Sequence, residues 1–127
     1  MSRNTPEGAV KAALKKMYAR HGDAIVLVQP IGTVFTAAGV HDHILCVGGR
    51  FVSVEVKAGS NELSPAQEMF GARVVAAGGL ALVVNEGNLK WFDGVLEIMC
   101  STPQLTHDER GYEMAYDFSV KAFPKRD

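Results

Sequence analysis

The chain predicts an α/β fold, a central mixed β-sheet flanked by helices, on three observations. HDHILCVGGRFVSVEVK, from His41 to Lys57, sets two apolar runs about Gly48-Gly49, a tight-turn signal for a β-hairpin. SPAQEMFGARVVAAGG then carries both a helix start and a helix stop, and LALVV after it reads as a short buried strand. Strand, helix and strand in that order make a right-handed crossover, so Leu80 to Val84 should lie parallel to Arg50 to Lys57. An antiparallel hairpin with a parallel neighbour is a mixed sheet.

The remaining elements follow from local signals. Thr5 can cap a helix N-terminus, Pro6 suits the first helical position, and Glu7 favours the positive end of the dipole. Val10, Ala13, Leu14 and Met17 recur at helical spacing with Lys11, Lys15, Lys16 and Arg20 between them, which gives an amphipathic helix ending near Gly22. Ala24 to Val28 is a short strand stopped by Pro30, and IGTVFTAAGV, rich in glycine and small residues, reads as a loop. In the second helix Ser64 and Gln67 form a capping box, Pro65 takes the first position, and Gly78 ends the helix after about Ala77 in the left-handed conformation. NLKWFDGVLEIM is a third helix weakened by Gly94. Tyr112, Met114, Tyr116, Phe118, Val120 and Ala122 alternate as one face of a terminal strand.

At 127 residues, 47% hydrophobic, the chain suits a single domain with its own core. A formal charge of -1 excludes a global positive field, so any nucleic-acid binding must use a local patch. MSRNTPEG lacks the apolar core of a signal peptide and no run is long enough to span a bilayer, so a soluble, intracellular protein with no membrane partner is expected. Cys46 and Cys100 stand apart without CxxC spacing, which gives little support to a zinc site or a disulfide. Cys46 is expected as a buried strand residue.

Pairing about Gly48-Gly49 puts Val47 opposite Arg50 and, counting outward, Asp42 opposite Glu55. Like charges directly opposite destabilise a sheet, and strands apolar on both faces make unpaired charge costly. Lys57 projects from the same face as Glu55. An exposed ion pair at a sheet end would account for these charges without function. A hard divalent cation would also resolve the conflict, since two carboxylates and an intervening backbone carbonyl supply part of an octahedron and leave room for water and a phosphate. Lys57 could then orient or deprotonate a water, or stabilise charge on phosphorus, which is the chemistry of phosphodiester hydrolysis.

GVHDHILCVGGRFVSVEVKAGSNELSPAQ resembles the D, ExK and Q core of the virus-type replication-repair nuclease (VRR-NUC) domain, a branch of the PD-(D/E)xK nucleases. TPEGAVK resembles the opening helix of its small stand-alone phage and bacterial members. The resemblance covers roughly Thr5 to Val84 and leaves Asn88 onward as an extension. It implies a restriction-endonuclease-like core in which Asp42 and Glu55 bind Mg²⁺ or Mn²⁺, the Val56 carbonyl assists, Lys57 is the catalytic lysine, and Glu7 and Gln67 complete the site. The implied activity is metal-dependent endonucleolytic cleavage of DNA, in branched or structured duplexes such as Holliday junctions or flaps, in the cytoplasm of a bacterial or phage-infected cell. The family usually has proline before the aspartate, where this chain has His41, a change that bears on the stiffness of the approach to Asp42.

Several of these residues have structural explanations as well. Glu7 stabilises a helix dipole without catalysing anything, and the capping box accounts fully for Gln67. Lys11, Lys15, Lys16 and Arg20 are a solvated helix face by default, and also the best phosphate contacts the chain offers. His41 could touch substrate from the loop, whereas His43 points to the opposite face from Asp42 and is read as packed or at a solvent edge. Trp91 and Phe92 are read as core, and HDER at His107 to Arg110 as a polar loop. A nuclease-like module that only binds nucleic acid or protein, and a small structural domain holding a cation, are the competing classes. A homodimer is expected, with Tyr112, Met114, Tyr116 and Phe118 as its candidate surface, although packing in the chain's own core explains that face equally well.

Overall fold

The hairpin turns where the paired glycines fall. Gly48 and Gly49 adopt φ of 53° and 84°, the type I′ geometry whose twist matches the flanking strands. The computed structural model describes residues 5–31 and 38–103. In order these form α1 (Pro6–Ala19), a 3-10 turn at Gly22–Ala24, β1 (Ile25–Val28), β2 (His43–Val47), β3 (Arg50–Val56), α2 (Pro65–Ala76), β4 (Leu80–Val84) and α3 (Leu89–Ser101). The expected strand at Tyr112 to Ala122, the HDER segment and most of IGTVFTAAGV lie outside the described residues.

The four strands form one sheet in the order β1-β2-β3-β4, antiparallel for the first two pairs and parallel for the last. The protein is therefore α/β with a mixed sheet, and β4 lies beside β3 as the crossover requires. Helix boundaries follow the capping residues. Thr5 accepts the Gly8 N–H at 2.9 Å at the start of α1. At the end of α2 the Gly78 N–H donates to Val75 and the Gly79 N–H to Val74, a Schellman pair closed by Gly78 at φ 95°. Arg50 donates to the carbonyls of Met99 and Thr102 and so fastens the end of α3 to the hairpin.

Alternation along the strands separates two faces. Leu45, Val47, Val52, Val54, Val56 and Val84 meet Val10, Leu14 and Met17 of α1 and Phe92, Leu96 and Met99 of α3 in the main core. Helix α2 packs on the other face, against β3 and β4. Central strand β3 is consequently buried on both faces from Val52 to Val56, and this is what takes Ser53 and Glu55 out of water. The β1-β2 half of the α2 face is not covered in that way. Cys46, expected to be buried, is exposed, and its neighbours Val26 and Phe51 are also largely open. Trp91 is likewise 56% exposed, while Phe92 beside it is fully buried, because only one side of α3 faces the sheet. No helix among the described residues is long and apolar enough to cross a membrane.

Candidate active site

The ladder runs from Val47↔Arg50 to His43↔Val54, so its next rung is Asp42 against Glu55, as the turn-centred count predicts. At this rung the carboxylates take over from the backbone. Glu55 Oε1 accepts the Asp42 N–H at 3.2 Å and Asp42 Oδ2 accepts the Val56 N–H at 2.9 Å. Each carboxylate thus satisfies a donor that the end of a ladder would leave unpaired. A strand residue directs its N–H and C=O to the same side, so the Val56 carbonyl faces the Asp42 side of β3.

Helix α2 brings Gln67 to the pair. Its side-chain oxygen accepts the Ser64 N–H at 2.9 Å, completing the capping box, and its nitrogen donates to Glu55 Oε2 at 2.8 Å. Capping and site roles belong to the two ends of one amide, so they do not compete. Lys57 Nζ stands 3.5 Å from the same Glu55 oxygen. Lys11 reaches in from α1, 3.2 Å from Asp42 Oδ1 and 3.3 Å from Glu7 Oε2. Glu7 therefore joins the cluster through Lys11. The order of charges from α1 to β3 is Glu7, Lys11, Asp42, Glu55, Lys57.

Burial governs the electrostatics. Loss of water, reinforced by Asp42, pushes the Glu55 carboxyl up to about 7 against the opposing pull of Lys57. Burial works against the charge of Lys11, but Asp42 and Glu7 outweigh it and raise its pKa. Behind the pair, His43 lies on the core face. Burial pulls its imidazole down to about 4, aided by Lys11 and Lys15 and opposed by Asp42. Burial, with a smaller push from Asp42, keeps the Tyr18 phenol protonated, and its hydroxyl is hydrogen-bonded with His43 Nδ1 at 2.9 Å.

His41 departs from the expectation of a substrate contact. It is 2% exposed, with Nδ1 3.0 Å from Ser53 Oγ, Nε2 donating to the Gln67 carbonyl at 2.9 Å, and the ring edge-on to Phe70. Gly39, at φ 78°, precedes it where any Cβ would run into the Ala66 carbonyl, so the chain lies directly on the first turn of α2. Where proline would stiffen the approach to Asp42 through φ, this chain pins it through a buried imidazole.

The basic face expected on α1 divides. Lys15 and Lys16 are exposed and line a shallow groove with Lys11 and Gln29, whereas Arg20 forms a 2.7 Å ion pair with Asp93 of α3. Sequence reasoning missed Ser53, and it placed Lys11 among the phosphate contacts without its pairing to Asp42. The i,i+4 spacing of Glu7 and Lys11 signals an ion pair on a helix, but nothing local announces its third partner, Asp42.

Asp42, Glu55 and the Val56 carbonyl offer oxygen donors only, the set a hard divalent cation takes. No group of three or more His, Cys, Asp or Glu among the described residues could hold an ion, so one bound here would retain much of its water, as Mg²⁺ characteristically does. No family model, curated protein or solved structure matches the chain.

Proposed function

We propose that the protein is a metal-dependent endodeoxyribonuclease of the PD-(D/E)xK type, with a VRR-NUC-like core. The observation that carries this reading is the Asp42–Glu55 rung with Lys57 3.5 Å from Glu55, held at the end of a hairpin and clamped by Gln67. A buried carboxylate with a second, half-buried one opposite it on the same rung is a poor structural choice, whereas a lone exposed ion pair would need neither the burial nor the clamp.

Asp42, Glu55 and the Val56 carbonyl would hold Mg²⁺ or Mn²⁺. The ion would polarise a phosphoryl oxygen and make its bound water more acidic. Gln67 fixes the Glu55 carboxylate through its second oxygen, and Lys57 is placed to orient the attacking water, take its proton or offset charge developing on phosphorus. Lys15 and Lys16 would contact backbone phosphates beside the site, a patch local enough to operate in a chain of net charge -1. Branched or structured DNA is the proposed substrate. A homodimer would place two such sites on opposite strands.

Labelled duplex, flap and four-way-junction DNA, incubated with Mg²⁺, Mn²⁺ or EDTA, test the reading. Cleavage is expected with either metal, none with EDTA, and none by Asp42→Asn or Glu55→Gln. DNA binding without cleavage under every metal condition would replace the enzyme by a nuclease-like binding module.

A further inference from the structure

Every oxygen of the acidic pair already has a partner, and the partners differ in how readily they can leave. The Asp42 and Val56 N–H groups belong to the sheet, and Gln67 is anchored by the Ser64 cap. That leaves two ammonium groups. Lys57 follows directly on the strand that carries Glu55 and, among the described residues, meets that carboxylate alone. Lys11 is different, because it comes from another element and holds two carboxylates, Asp42 at 3.2 Å and Glu7 at 3.3 Å. Leaving Asp42 does not strand its charge.

We infer that Lys11 is a built-in competitor for the metal, a tethered cation that a divalent ion must displace from Asp42 and that Glu7 then retains. This rests on the proposed metal site and concerns what controls its filling. With Lys11 on Asp42, the five charged groups of the cluster sum to -1 and the pair is tolerable without metal. A divalent ion brings two charges to the same oxygens and repels the ammonium, so occupancy requires the ion concentration to overcome Lys11. Glu7 is on this view a positioning residue, the resting place of Lys11, and not a metal ligand.

Mn²⁺ affinity, measured by calorimetry on the full chain without DNA, tests this. Lys11→Met keeps a straight apolar stem with similar helix propensity and should bind Mn²⁺ at least ~10-fold more tightly than wild type. Arg73→Met removes the same net charge towards the other end of α2 and should leave affinity unchanged, while Lys11→Arg should stay near wild type. Lys11→Met should also melt at a lower temperature in EDTA and gain more from saturating Mn²⁺, a readout that distinguishes lost compensation from general damage. Unchanged or weaker Mn²⁺ binding by Lys11→Met, with binding still abolished in Asp42→Asn, overturns the competitor role and leaves the metal site standing. Absence of Mn²⁺ binding in both wild type and Lys11→Met overturns the two together.

Discussion

One side-chain amide, that of Gln67, ties Ser64 to Glu55, accepting the Ser64 N–H at 2.9 Å and donating to Glu55 Oε2 at 2.8 Å. Glutamate satisfies a capping box as well as glutamine does, so at an ordinary cap Gln67→Glu would be nearly silent. Here it sets a carboxylate against a carboxylate. The variant should lose ~1–3 kcal/mol at pH 8, the scale for an unsatisfied buried polar group, and recover at pH 5 as the new pair takes up a proton. Equal urea midpoints for variant and parent at pH 8 would assign Gln67 to capping alone.

His41→Pro introduces the residue that the resembled family carries before its aspartate, and it should destabilise this protein. The Ser53 hydroxyl, fully buried, loses its imidazole partner, and the Phe70 ring loses its neighbour. A loss of ~1–3 kcal/mol is expected from the orphaned hydroxyl, together with weaker protection of α2 amides in hydrogen exchange. A melting temperature equal to or above wild type would show that backbone stiffness substitutes for the pinned ring.

Glu55 and His43 give opposite pH slopes. The Glu55 carboxyl is raised to about 7, so its contribution is fully present below its unfolded value near 4.5 and is lost as pH rises through 7. His43 is lowered to about 4, so its contribution is present above its unfolded value near 6.5 and is lost as pH falls through 4. Between pH 4.5 and 6.5 the two largely cancel. Glu55→Gln removes the falling limb, so its stability relative to wild type should climb as pH rises from 4.5 to 7. Urea titrations at four pH values read the difference directly, and a constant difference would refute the raised Glu55.

Lys57→Ala separates chemistry from assembly. Asp42, Glu55 and Gln67 keep their hydrogen bonds without it, so Mn²⁺ binding should persist while single-turnover cleavage falls at least ~10²-fold, the scale for a positioned proton-transfer or charge-stabilising group. Near-normal cleavage would remove Lys57 from the mechanism.

Asp42 and Glu55 are legible in the sequence because a fixed turn centre and a side-chain period of two decide which residues meet. Gln67 is legible as a cap for the same local reason. Its second bond, to Glu55, is not, since it depends on where α2 docks. Lys11 needs the docking angle of α1 as well, and His41 has no local signature at all. Apolar alternation at Val26, Cys46 and Phe51 shows that a face can be buried, and says nothing about whether a helix reaches it. Helix α2 packs on β3 and β4, which is why Cys46 stays open.

The acidic rung is the one farthest from Gly48-Gly49, and this has a consequence for how the hairpin breathes. A hairpin frays from its open end inward, so Asp42 and Glu55 part before the rungs near the turn do. That end is held by the rung's own two carboxylate–backbone hydrogen bonds and, laterally, by Lys11 from one helix and Gln67 from another. Loosening either helix therefore exposes this end first, baring the buried Glu55 beside an Asp42 that is already half-buried. How readily that end opens depends on the grip of α1 and α2 as well as on the rung's own hydrogen bonds.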